Sequence, residues 1–277
     1  MVTLTEARAN RTVKDWVAFF KAADIPVLRQ TAREIAQLQA REDETGARDI
    51  TRVVINDPLM MFKVLAYANN HRSRHQLQDL VQVEQAIIMM GTGTFFAQIP
   101  TVPHVEDVLH EHMSALIDLL KLMIRAHRSG YFAAEFAAHL MDLHAEEVRV
   151  AASLHDFAEM LMWCFNPDAM GEISQRQTAD KTLRSRVVQQ EVLGFRLLEL
   201  QAELVQVFNL PPLLSDLMDE ARADLPRVRN VQLAVNLARH SADGWDNAAL
   251  PDDYKDIADL LHVDVERVKH IVGVPSH

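Results

Sequence analysis

An all-α chain with one internal boundary is the architecture this sequence predicts, and three observations carry that expectation. Large apolar residues recur at helical intervals through most of the chain, convincing strand alternation is absent, and only 8 of 277 residues are glycine. Leu116, Leu119, Leu120, Met123 and Ile124 show the period best, a continuous apolar stripe that His127 extends by one further step. With 49% apolar residues the chain can bury a sizeable core. A prior of about 150 residues per domain allows one or two domains.

The elements follow in order. Residues 1–23 read as an N-terminal helical extension. Ile50 to Ala68 carries two short helices, the second started by Asp57 as N-cap and Pro58 in the first turn. Pro100 and Pro103 flank Thr101-Val102 and mark the best internal boundary. Beyond the stripe, Ala133 to Leu143 and Glu146 to Phe165 read as two helices joined near His144-Ala145. Asn166 to Arg184 is polar apart from Met170, Ile173 and Leu183, so a surface loop with a short helical turn is expected. Arg186 to Phe208 reads as one longer helix stopped by Asn209-Leu210-Pro211-Pro212. The tail offers a helical pair, Tyr254 to Leu261 and Val265 to Val272, with Asp264 as N-cap.

Charge and cysteine usage narrow the function classes. Lys and Arg total 28 against 39 Asp and Glu, a net −11, which disfavours a phosphate-backbone binder; no nucleic-acid partner is expected. Cys164 is the single cysteine, so neither a disulfide framework nor a cysteine-rich zinc site can form. Met1 to Arg8 lacks the apolar stretch of a signal peptide, and no run reaches the roughly 18 apolar residues of a membrane span. The expectation is a cytoplasmic protein with no membrane association.

One doublet carries chemistry. His155-Asp156 lies between the apolar Ala151 to Leu154 and Phe157-Ala158, read here as the middle of a buried helix. Buried His and Asp are costly unless they bond to a partner or bind something. Other candidates have plainer readings. Met60, Met61, Met89 and Met90 suit core packing better than an adaptable partner surface, and Phe95-Phe96 suits a helix contact as well as an exposed anchor. His110 and His112 are alternate residues that share no helix face. His71, Arg72, Arg74 and His75 form a small basic cluster best read as a solvated loop.

Several weak motifs in one order give a resemblance. Ile25-Pro26-Val27-Leu28 is followed by Ile55-Asn56-Asp57-Pro58-Leu59, by Val64 to Asn70 and by Ala86 to Gly91. Leu154-His155-Asp156, Glu191, Leu193-Gly194, Ala202 and Leu210-Pro211 come after. From Asp24 to Arg239 the chain resembles the HDOD domain, the HD-related output domain of bacterial signalling proteins. The resemblance implies a two-lobed all-helical fold: a front lobe over 24–100, an HD-like rear lobe over 104–240, and a helical tail over 241–277. It relates the chain to HD phosphohydrolases and HD-GYP cyclic-di-GMP phosphodiesterases, and implies a signalling or scaffold module rather than an enzyme.

An HD-type hydrolase needs a first His, the His-Asp doublet and a distant Asp around a metal that activates water. His127 has the spacing of the first ligand, and His155 and Asp156 supply the doublet. Where the resemblance calls for the last Asp, after Ala238, the chain has Arg239, which cannot ligate a cation; Asn236 nearby offers only a neutral oxygen. The relatives' Ile-Gly-Lys after the doublet is here Phe157-Ala158-Glu159. Leu197 and Gln201 stand where a further His and a Gly are expected, and Ala221-Arg222 where a His pair is. His127, His155, Asp156, Asn236 and Arg239 therefore read as a vestigial site with no resident metal or cofactor. The expected partners are signalling proteins met in trans: a response regulator, a sensor kinase or a cyclic-di-GMP enzyme. The alternatives are a residual metal-dependent phosphohydrolase using His127, His155 and Asp156, and a sensor that holds a nucleotide in the old pocket without cleaving it.

Overall fold

Apolar faces with helical period must bury against one another, and in the computed structural model of the chain they do so around one contiguous core. The structure describes residues 11–71, 81–180 and 182–275. The front part contains α1 (Val13–Ala22), α2 (Arg29–Gln39), α3 (Ala47–Val54), α4 (Pro58–Asn70), α5 (Val83–Met90), α6 (Thr92–Gln98) and the single turn α7 (Val105–Val108). The rear contains α8 (Met113–His139), α9 (Ala145–Ser153), α10 (Phe157–Phe165), α11 (Pro167–Ala179), α12 (Ser185–Leu193), α13 (Leu197–Val207), α14 (Pro212–Leu217) and α15 (Pro226–His240). α16 (Leu250–Leu261) and α17 (Val265–Val272) close the chain. The fold is all-α. Among the described residues the β structure is one isolated parallel bridge, Val27 to His104.

Sequence chemistry sets the helix ends. Thr12 and Asp15 close a reciprocal capping box at the start of α1. Asp57 caps α4, accepting from Leu59 N at 3.0 Å and Met60 N at 3.1 Å, while its second oxygen accepts from Leu28 N at 2.8 Å. One buried carboxylate therefore starts a helix and anchors a loop. The Lys63 ammonium on α4 donates to the carbonyls of Ile25 and Pro100, which ties both flanks of the front segment together. Burial drives its pKa down to about 8, against the pull of Asp57 and Asp24. The aromatic cluster joins front to rear: Phe62 stacks on Phe157 at 5.1 Å, and Phe19 meets Phe165 edge-on at 5.2 Å.

Four expectations are corrected. The stripe from Leu116 and the helix from Ala133 are one helix of 27 residues. Gly130 does not break it because it is a contact point: a Cβ there would lie 2.1 Å from Ser153 Oγ and 3.2 Å from Arg149 O of α9. The helix expected over Glu146 to Phe165 is two, α9 and α10, with Leu154, His155 and Asp156 between them. The helix expected over Arg186 to Phe208 is also two, because Gly194 takes a left-handed conformation (φ 80°) and ends α12. Asn166 to Arg184 is no loop. Pro167 opens α11, and Pro167, Met170 and Ile173 bury one narrow face that three apolar residues made hard to see.

Other expectations hold. Met60 and Met61 are fully buried, though Met89 is exposed. Phe95 is buried and Phe96 packs against the core. The tail pair is present, and Asp264 caps α17 by accepting from Arg267 N at 2.7 Å. Arg72, Arg74, His75 and the segment from Met1 to Arg8 lie outside the described residues. Among the described residues no helix is long and apolar enough to cross a membrane.

Candidate functional site

The break between α9 and α10 places the doublet in a corner rather than along a helix. Asp156 stands at the N-cap of α10, where its carboxylate could accept from the first amides, but makes no such bond. It turns away instead. Oδ1 accepts from His155 Nδ1 at 2.8 Å, and Oδ2 accepts from the Arg125 guanidinium of α8 at 3.4 Å. The backbone of the corner is held by Gln201 from α13, whose amide nitrogen donates to His155 O while its oxygen accepts from Ala158 N. A side chain thus pairs two buried backbone groups that the interrupted helix leaves open.

Around the corner lies a cavity of about 640 Å³ walled by α8, α10, α11, α12, α13 and α15. His155, Asp156 and Glu159 line the cavity, as do Arg125, Arg184, Arg186 and Arg239 and the neutral Gln177, Ser185, Gln189 and Gln201. Met170, Ile173, Leu197 and Leu198 supply an apolar wall. Burial alone would raise the Asp156 carboxyl, but the His155 imidazole and the Arg125 and Arg239 guanidiniums outweigh it and hold it below the usual carboxylate range. Glu159 goes the other way. Burial and the nearby Asp156 charge push it up against the weaker help of Arg125, Trp163 and Arg239.

The structure brings together His155, Asp156 and Arg239 and leaves out His127 and Asn236. His127 is exposed on α8 and Asn236 is half-buried on α15; neither lines the cavity. Arg125, two residues before His127, is the α8 side chain that reaches the doublet. His127 was expected on the apolar face because Ile124 was, and Ile124 is itself 62% exposed. Arg184 and Arg186, at the start of α12, and Arg125 had no role in the sequence reading; the only available signal was an Arg-Ser-Arg triplet in a chain short of basic residues. Ala221-Arg222 does not reach the cavity. Cys164 is buried, and burial followed by the Asp57 charge raises its thiol, so it is no nucleophile.

A divalent metal does not fit this donor set. The two side chains that would have to converge on an ion bond to each other, and two guanidiniums press on the same carboxylate. Among the described residues no three His, Cys, Asp or Glu side chains form a group that could hold one.

A helical module with an arginine-lined cavity beside a His-Asp doublet is what fold and site define. The chain belongs to the HDOD domain family, whose model matches residues 25–223. Among solved structures it is similar to the MmoQ response regulator of Methylococcus capsulatus, at 16% identity and a TM-score of 0.66, over 90% of this chain and 98% of that one. It is also similar to a virulence factor of Campylobacter jejuni, at 15% identity and a TM-score of 0.67, over 94% and 97%. At such identities the likeness establishes the fold alone. No curated protein matches the chain.

Proposed function

We propose that the chain is a non-catalytic signalling module that works by contact with other signalling proteins, its front segment (24–100) and HD-like segment (104–240) forming one scaffold. The observation that carries this reading is a row of exposed apolar side chains on α8. Met113, Ile117, Ile124 and Tyr131 are each between 48% and 62% exposed, and they follow one another by four, seven and seven residues. Those steps keep the four on one face of the helix. Single exposed apolar residues need no explanation, whereas several on one helix face mark an interaction surface. Membership of the HDOD family and likeness in fold to a response regulator support a signalling context. The partner classes proposed are a response regulator, a sensor kinase or a cyclic-di-GMP enzyme.

The test compares the wild-type chain with an Ile117→Glu/Ile124→Glu variant by cross-linking mass spectrometry in the source cells. A signalling protein cross-linked to α8 in the wild type and lost from an equally folded variant is the expected result. Equal cross-links in both would overturn the reading. So would purified protein that carries stoichiometric metal and hydrolyses a phosphodiester in a manner lost in His155→Ala.

A further inference from the structure

The cavity beside the doublet concentrates positive charge in a chain of net −11. Four arginines line it, against two carboxylates. The carboxylates are already engaged: Asp156 accepts from His155 and Arg125, and Glu159 accepts from the Trp163 indole at 3.5 Å. Two of the arginines are not matched in the same way. Arg184 and Arg186 make no ion pair among the described residues, and the buried Nε of Arg125 has no hydrogen-bond partner. A buried guanidinium nitrogen without an acceptor is an uncommon cost. The guanidiniums that an acceptor entering the cavity can reach are the exposed Arg184 and Arg186.

The same wall holds a second feature. α12 begins at Ser185 with no side chain capping its first amides, and Ser185 and Arg186 both line the cavity. Uncapped amides and the positive end of a helix dipole favour an anion. The guanidinium fork matches phosphate oxygens in pairs. Opposite them, Met170, Ile173, Leu197 and Leu198 present an apolar face, and about 640 Å³ is room for a small organic molecule.

We infer that this cavity is a receptor for a small phosphorylated metabolite, whose phosphate is held by Arg125, Arg184, Arg186 and Arg239 without a metal, its organic body lying against the α11–α13 wall. The arginine that removes the old metal ligand is then itself the ligand-binding group, and the site senses rather than cleaves. This inference does not depend on partner docking, so either can fail alone.

The test is isothermal titration of the full chain in EDTA with pyrophosphate, AMP and adenosine, at constant ionic strength. Pyrophosphate and AMP are expected to bind, and Arg184→Gln/Arg186→Gln to weaken both by about tenfold or more. Both of these side chains are exposed and outside the core, so the variant should fold; Arg239→Gln provides an independent second loss. AMP tighter than pyrophosphate identifies an organic phosphate as the ligand; equal affinity identifies the free oxyanion. Adenosine binding as well as AMP, no binding of either phosphate, or unchanged affinity in the double variant would each overturn the inference.

Discussion

Two carboxylates three residues apart are shifted in opposite directions. Asp156 bonds to the His155 imidazole and the Arg125 guanidinium, whereas the half-buried Glu159 accepts from the Trp163 indole and has the Asp156 charge beside it. Asp156 is lowered in the folded state, so its contribution is present above the unfolded aspartate value of about 3.9 and is lost as pH falls through the folded one. Glu159 is raised, so its contribution is present below the unfolded glutamate value of about 4.3 and is lost as pH rises through the folded one. At pH 7, above both unfolded values, Glu159 therefore costs stability and Asp156 supplies it. Urea midpoints at pH 7 should rise in Glu159→Gln and fall in Asp156→Asn, each by the equivalent of about 0.5–3 kcal/mol. The Gln advantage should vanish as pH approaches about 4, and a Gln variant less stable at pH 7 would contradict the field described. His155, Asp156 and Arg239 were legible in the sequence because a doublet and a missing Asp are local patterns. Arg125, Arg184 and Arg186 were not, since only the packing of α8 and α12 around the corner collects them.

Helix starts with side-chain chemistry were readable, and interior breaks were not. Asp57-Pro58 and Asp264 each mark a helix start by a local capping pattern. By contrast the apolar period runs straight through Leu154 to Phe157, and the break there is stabilised by Gln201 from 46 residues away. Gly130 misleads in the opposite sense, a helix breaker by propensity that the helix keeps. Its value is close approach: α8 and α9 touch where it has no side chain. Gly130→Ala should therefore lower stability by about 1–3 kcal/mol in chemical denaturation, despite the better helix propensity of alanine. Ser153→Ala removes the nearest atom, so the double variant should recover part of that loss. Full stability of Gly130→Ala alone would show that the helices can separate at no cost.

The whole molecule was expected as two lobes with a tail, and its energetics follow from how the core runs across those divisions. α1, assigned to an extension, packs through Phe19 and Phe20 on Phe165 of α10. Phe62 of the front stacks on Phe157 directly after the doublet. The tail is equally committed: Leu250, Tyr254, Ile257 and Leu261 are buried, and the His240 imidazole of α15 meets the Asp253 carboxylate of α16 at 2.6 Å. Each such apolar side chain contributes about 1.5–3 kcal/mol by burial, so α16 cannot detach without a cost comparable to a domain's whole stability. The three tryptophans test this, because Trp16 reports α1, Trp163 the segment after the doublet, and Trp245 the approach to the tail. In three single-tryptophan proteins, the others changed to Phe, the urea transition seen by fluorescence should coincide with that seen by far-ultraviolet circular dichroism. A Trp245 transition preceding the loss of helix would make the tail a separate unit. An early Trp16 transition would do the same for α1. Coincidence in all three would mean that a ligand in the arginine-lined cavity, which α8 and α15 share, stabilises the front, the rear and the tail together.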